Sequence, residues 1–298
     1  MTGLLDTLFD GLALGSVHAL IALGFVTVFK ASGVLSFTHG SLLLLGGYLV
    51  ALLHDDLGFA GALALAVLVT AAVAGALDRL VLQRIGTDPH AAHVATIATI
   101  GVDIVLATDL TRRIGGDLLS LGDPWGDAVT HLGPTTVADS RIAAVVVSAV
   151  AIGGVFALFR YTPWGLALRA AAEDAEAAAL MGVRLSRVRM LAWCLAGALA
   201  ALAAVFLAAF PAPGLERTTG QLALTAFPAA ILGGMASPVG ALAGSLLIGL
   251  TEALVTGYQS DLRFLGDGFG DVAPYAVMVL VLLVRPAGLF AAKGAARV

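Results

Sequence analysis

The chain has 298 residues, of which 59% are apolar and only 12% charged, with a net charge of −4. A soluble domain carries about 25% charged residues, so a surface wetted on every side is excluded. No basic patch with interleaved aromatics occurs, so no nucleic acid is expected as a partner, and the single cysteine, Cys194, excludes an internal disulfide.

Several apolar runs approach the ~20 residues a helix needs to cross a ~30 Å hydrocarbon core. A barrel would show alternation over segments of ~10 residues, whereas a run such as 58–77 is apolar on all faces. The residues before the first run, from Met1 to Asp10, include no Lys or Arg. They do not read as a cleavable signal peptide, and the first span is expected to stay in the mature protein. In chain order the predicted spans are 11–29, 34–53, 58–77, 91–110, 142–159, 190–210 and 239–257. Two runs are shorter: 222–233, interrupted by Pro228 and closed by Gly233-Gly234, and 272–284, with Pro274 in its first turn. A run of about twelve residues reaches only ~18 Å as helix, so 222–233 is expected to enter from outside as a half-length helix shielded by other spans. The fold class is thus an all-α integral membrane protein. It is a polytopic bundle of about eight long or near-full spans plus one short broken helix, in a single transmembrane domain, 1–298.

Orientation follows from the excess of Lys and Arg in cytoplasmic loops. Segment 161–189 and its border hold Arg160, Arg169, Arg184, Arg187 and Arg189, which assigns them to the cytoplasm. Walking outward puts Lys30, Arg79, Arg84, Arg285, Lys293 and Arg297 on the same side, and Arg112, Arg113, Arg141, Arg217 and Arg263 opposite. The N-terminus is then external, the C-terminus cytoplasmic, and 111–141 an external loop carrying Asp117, Asp123, Asp127 and Asp139. Within 161–189, Thr162 is a plausible N-cap with Pro163 at the first helical position. The Ala-rich stretch that follows predicts one helix over 166–181, with Arg169 and Glu173 at i,i+4 and Gly182 as its stop.

The chain has only two lysines, Lys30 and Lys293, and neither closes a G-x-x-x-x-G-K-[ST] loop. No nucleotide site or enzymatic activity is expected in it. Gly268 to Asp271 spells G-x-G-D, the form of an intramembrane aspartyl protease motif, which needs a second carboxylate in a neighbouring span. Asp103 follows Val102 where that chemistry calls for a Tyr, so a Gly-rich turn is the reading adopted. Asp103 and Glu252 are carboxylates deep in predicted spans, where a charge costs roughly 2.5–3.5 kcal/mol on insertion scales. His93, Thr96, Thr99 and Asp103 make one polar helix stripe; Ser245, Gly249 and Glu252 make another, and Gly11, Gly15 and His18 a third. Two readings fit them: hydrogen bonds that fix helix packing, or the lining of a solute pathway.

Five stretches in order resemble the branched-chain amino-acid permease family of ABC importers, the smaller permease type. Gly165, Arg169, Ala170, Ala172 and Asp174, then Gly182, resemble its G-x-x-x-R-A-x-[AS]-x-D core and following glycine. Leu35 to Gly40 is similar to its N-F-A-x-G signature, and Leu232 to Ala241 to its L-G-G-x-G-S-x-x-G-A stretch. The runs from Ile248 to Leu254 and from Leu282 to Leu289 continue the match. The resemblance implies the membrane-spanning subunit of an ATP-driven importer in a bacterial cytoplasmic (inner) membrane. Its solutes would be small and polar, branched-chain amino acids first, with urea and short amides carried by other relatives. The chain itself would hold no cofactor, with ATP and Mg on partner subunits. The partners implied are a second, homologous permease, two cytoplasmic ATPase subunits, an external solute-binding protein and the lipid bilayer. ATPase coupling would fall to Arg169, Glu173, Asp174 and Gly182, and pathway lining to His18, His39, Thr99, Asp103 and Glu252. Ser36 stands where the family usually has Asn, Ser41 where it often has an acidic residue, and Asp103 where relatives carry a small hydroxyl or apolar residue. These departures bear on the solute rather than on the family. The alternative class is a secondary transporter or channel, with Asp103 and His18 as a proton or ion relay. Such carriers often show matching broken spans in both halves, and 222–233 has no evident counterpart in the first half.

Overall fold

The structure, a computed structural model, describes residues 2–85, 89–122, 124–126, 128–132, 135–210, 214–260, 269–286 and 288–290. Asp123, Asp127, Arg263, Gly268, Lys293 and Arg297 of the sequence reading lie outside them.

Helix α1 (Thr2–Ser32) and helix α8 (Leu185–Leu207) form the centre of the bundle and supply much of its buried core. Both are rich in Ala and Gly, which lets neighbouring backbones come close where lipid offers no hydrophobic drive to associate. A Cβ on Gly11 would lie 2.8 Å from Leu250 Cα, which shows how tightly α1 seats on α10 (Pro238–Gly257).

Helix α2 (His39–Leu77) carries two predicted spans in one element, folded at Gly58 (φ 68°, ψ 163°), a backbone state that favours glycine. Gly46 and Gly47 back onto Ala201 and Ala204, whereas Gly75 meets Cys194 and Gly197 meets Thr70. The arm 39–57 therefore runs with α8 and the arm 59–77 against it. The predicted span 34–53 begins late, because 34–37 is not helical. A π-helical turn (Asp78–Leu82) and α3 (Gln83–Ile85) end this hairpin.

Helix α4 (Pro89–Ile114) packs chiefly on α2 and shows an apolar outer face of Ile97, Ile104 and Val105. The external loop of the sequence reading folds as a cap that includes an antiparallel hairpin, β1 (Val129–Leu132) with β2 (Thr135–Ala138). Leu119 pairs with Leu215 through reciprocal backbone bonds of 2.9 and 2.8 Å, and the Trp125 ring stacks on Phe206 at 5.6 Å. Helix α5 (Asp139–Tyr161) leads to α6 (Pro163–Glu173) and α7 (Ala175–Leu180), then to α8.

The short run is a compound element, a 3-10 helix (Thr219–Ala226) continued by α9 (Phe227–Gly233) and turned by Gly234 at φ 98°. Its reversal is tight: a Cβ on Gly233 would sit 2.1 Å from the Gly240 carbonyl oxygen. Helix α11 (Phe269–Val284) closes the chain order, and Phe269 and Gly270 open that helix instead of forming the Gly-rich turn expected there.

Among the described residues, six helices are long and apolar enough to span a membrane, one of them the segment His39–Ile85 that folds back on itself at Gly58. With the shorter α11, they supply the eight spans expected. The two ends of the bundle also sort by residue. Asp78, Gln83, Trp164, Ser186 and Arg189 meet at one end, and the cap, Asp10 and Arg141 at the other.

Candidate functional site

Two interruptions of regular helix lie beside α1, the first along its last turns near Phe25 and the second at His18. The first is the non-helical stretch 34–37, bounded by Gly33 and Thr38. It folds back along α1, so that the His39 ring stacks on Phe25 at 4.0 Å. Unpaired backbone groups are costly at membrane depth, and the polar stripe of α4 satisfies them. The Leu35 N–H donates to Thr96 Oγ1 at 3.3 Å and the Phe37 N–H to Thr99 Oγ1 at 3.1 Å. The Ser41 N–H, in the first turn of α2, donates to Asp103 Oδ1 at 3.1 Å. Thr38, the N-cap of α2, makes no side-chain cap of its own, so Asp103 supplies the cap from another helix. Ser36, Thr38 and His39 complete the joint, with Ser36 Oγ 2.9 Å from Thr38 Oγ1 and 3.2 Å from His39 Nδ1.

The second interruption is the 3-10 helix before α9. Thr225 donates its hydroxyl proton to the Leu222 carbonyl at 2.6 Å, so His18 Nε2, 3.1 Å away, is the donor to Thr225 Oγ1. Glu252 Oε2 lies 4.0 Å from the same His18 nitrogen. The Tyr275 hydroxyl donates to the Leu224 carbonyl at 3.3 Å. The two interruptions meet at Gly40 and Gly220, where a Cβ on either would fall 2.9 or 2.8 Å from the other's carbonyl oxygen. The first half thus has a break of its own beside 219–226. The sequence shows no such counterpart because 34–37 is as apolar as the run it begins.

Of the predicted lining residues, His18, His39 and Thr99 are each 1% exposed and face protein, while Asp103 and Glu252 are partly exposed. His18 and Asp103 are engaged at different breaks, with Thr225 and Ser41 respectively.

The segment between α5 and α8 was expected as one helix over 166–181 and is two. Asp174 (φ −152°, ψ 103°) breaks it, and its carboxylate accepts the Ala177 N–H at 2.9 Å as N-cap of α7. Aspartate gains more from such a cap than from a helix interior. At its start Thr162 caps α6 through the Gly165 N–H at 3.1 Å, behind Pro163, as the sequence indicates. A Cβ on Gly165 would meet the Phe159 carbonyl oxygen at 2.3 Å, so only glycine lets α6 turn off the end of α5 this closely. Gly182 (φ 88°) stops α7, with its N–H on the Ala179 carbonyl at 2.9 Å and that of Val183 on Ala178 at 3.0 Å. Leu168 and Ala178 are buried, and Arg169, Glu173 and Asp174 are exposed beside Leu180 and Met181, which are 89% and 86% exposed.

Sequence reasoning missed one polar joint at this end. Asp78, fully buried, pairs with Arg189 at 3.2 Å, and Gln83 Nε2 bridges Asp78 Oδ2 (2.6 Å) and the Ser186 carbonyl (3.0 Å). A carboxylate at the end of one span and an arginine at the start of another were the available signal. The charge count read Arg189 as a loop residue.

A family profile described as the permease component of branched-chain amino acid transport systems matches residues 7–284. The chain belongs to this family. This permease is 30% identical to the high-affinity branched-chain amino acid transport system permease protein LivH of Escherichia coli (strain K12), over 96% of this chain and 94% of that one. It is 29% identical to BraD of Pseudomonas aeruginosa, of the same description, over 96% and 95% of the two chains. With a probable branched-chain amino acid permease, LivH of Methanocaldococcus jannaschii, the identity is 28% over 91% and 87%. Among solved structures, PsaBC from Streptococcus pneumoniae in complex with Fab aligns over 96% of this chain and 91% of that one. The TM-score is 0.43 at 16% identity, a level that supports no argument about this permease.

Proposed function

We propose that this chain is the membrane-spanning permease subunit of an ATP-driven importer for small polar solutes, branched-chain amino acids first among them. The observation that carries the reading is the family match across 7–284, nearly the whole chain. In this reading the protein sits in a bacterial inner membrane with its N-terminus outside and its C-terminus in the cytoplasm. It pairs with a second permease, two cytoplasmic ATPase subunits that hold ATP and Mg, and an external binding protein that delivers the solute.

Helices α6 and α7 are the coupling element, docking on an ATPase through Arg169, Glu173, Asp174 and the apolar tips Leu180 and Met181. Their exposure supports this, since α6 and α7 bury little beyond Leu168 and Ala178 against the bundle. ATPase closure would pull on α5 and α8, between which these helices are strung. Asp78 and Arg189 would pass the motion from the foot of α8 to the return arm of α2. Of the lining residues, Asp103 and Glu252 face the pathway, and His18, His39 and Thr99 support it from behind.

The test is reconstitution of the full complex with the binding protein loaded with leucine, measuring ATP hydrolysis and uptake together. Gly182→Val places a β-branched residue at positive φ and costs about 1 kcal/mol or more at that stop. The variant should insert normally yet lose stimulated hydrolysis and uptake together. Full stimulation and uptake in Gly182→Val would remove the coupling role from these helices.

A further inference from the structure

The cap leaves a cleft of about 490 Å³ between itself and the bundle, inside the ~300–1,000 Å³ range of small-molecule sites. Leu118, Leu121, Val129 and Phe210 give it apolar walls. Two helix ends complete the lining: Ser140 and Arg141 from the first turn of α5, and Ala208 and Ala209 from the end of α8. These ends differ in electrical character. The start of a helix presents N–H groups and a partial positive charge, and the end of a helix presents carbonyl oxygens and a partial negative charge. The N-cap of α5 is Ala138, which has no polar side chain to close that start.

Two side chains point to a ligand. Ser140 is 7% exposed and lines the cleft, yet its hydroxyl has no hydrogen-bond partner among the described residues. A buried hydroxyl is normally paired. Arg141 meets Asp10 through Nη1 alone, and its guanidinium is a fork of five N–H donors that matches a carboxylate. This edge of the cleft is no simple anion trap. Asp10 holds one side of Arg141, and Asp139, which accepts the Thr130 hydroxyl at 2.6 Å, opens the same helix. Both signs of charge beside apolar walls suit a zwitterion with an apolar side chain. We infer that this cleft is an outer receiving site for an apolar amino acid. It takes the carboxylate at Ser140, Arg141 and the start of α5, the ammonium at the end of α8, and the side chain between Leu118, Leu121 and Phe210. This rests on the transport reading above and adds the place where the solute is first held.

The test is photolabelling of the assembled complex with photo-leucine, a leucine analogue whose side chain carries a diazirine, followed by mass spectrometry of the adducts. Adducts should fall on the peptides that hold 118–121 and 208–210. Excess leucine should suppress them, and leucinol, which lacks the carboxylate, should not. Arg141→Gln should lower the yield about tenfold or more, the loss of a charge-assisted pair, and Arg141→Lys should keep part of it. Ser140→Ala should lower it about fivefold, as for one hydrogen bond. Ala209→Trp narrows the cleft and touches neither charge. It should lose the adducts and slow leucine uptake, and it decides the matter if Arg141→Gln does not assemble. No adducts on either peptide, in a complex that takes up leucine, overturns the site, and so does a full yield in Ala209→Trp. Equal suppression by leucinol, or a full yield in Arg141→Gln, overturns the carboxylate assignment. Suppression by an anionic lipid but not by leucine gives the cleft to lipid and overturns the proposal. Adducts as described, in a complex that takes up no leucine, leave the site standing and contradict the transport reading.

Discussion

The two mid-membrane breaks meet at Gly40 and Gly220 but solve the same backbone problem in opposite ways. At 34–37 the chain makes one local bond, from the Val34 N–H to Ser32 Oγ at 3.3 Å, and a second helix supplies the others: Thr96, Thr99 and Asp103 of α4 reach Leu35, Phe37 and Ser41. At 219–226 the chain bonds itself in a tighter helix and borrows little. The first break is held from outside and hidden, and the second is self-sufficient and open to its surroundings. A backbone that satisfies itself is free to present its side chains elsewhere, whereas one that relies on a neighbour is fixed to it.

This contrast predicts unequal costs. Thr96→Val together with Thr99→Val removes the acceptors of two amide groups at 34–37. An unsatisfied buried donor costs about 1–3 kcal/mol, so the pair should cost about 2–6 kcal/mol. The thermal unfolding midpoint of the solubilised complex should fall sharply; an unchanged midpoint would mean that these bonds do not hold the break. A smaller effect is expected at Asp103. Asp103→Leu removes the cap of α2 and should cost about 0.5–2 kcal/mol, whereas Asp103→Asn keeps an acceptor and loses only the charge–dipole part, about 0.3–1 kcal/mol. Ser41→Glu should restore stability to Asp103→Leu by placing a carboxylate in the same first turn. Equal losses in the Asn and Leu variants, with no rescue, would show that Asp103 is not acting as a cap. The smallest effect belongs to the second break. Tyr275→Phe leaves the 3-10 backbone bonds in place and removes only an exposed hydroxyl bond to the Leu224 carbonyl, so it should change the midpoint by about 1 kcal/mol equivalent or less. A larger drop would show that the open break also relies on its neighbours.

The division between what was legible and what was not follows the range of the interactions. Spans, the Thr162 cap and the Gly182 stop depend on residues within one or two turns, and all three stand in the structure. The stripe of Thr96, Thr99 and Asp103 was legible as a stripe, because periodicity tells which residues share a face. What that face meets is set by folding: Leu35 lies 61 positions before Thr96, in a stretch with no local sign of leaving the helix. The break at Asp174 was the reverse case. The aspartate was visible, but the Ala content around it favoured a continuous helix, and the cap won. At the second break, Tyr275 was passed over because it belongs to no polar stripe and the Leu224 carbonyl it reaches lies 51 positions away.

The pair of Asp78 and Arg189 has a consequence for the making of the protein. The two residues are 111 positions apart. At ~5–20 residues per second of synthesis, the ribosome delivers Arg189 roughly 5–20 seconds after Asp78. For that interval the return arm of α2 ends in a carboxylate without its guanidinium, and a lone charge does not leave water. The hairpin folded at Gly58 therefore waits with its foot at the membrane surface and settles only when α8 arrives, so the last contact to form at this end is also the one that fixes α8 beneath α6 and α7.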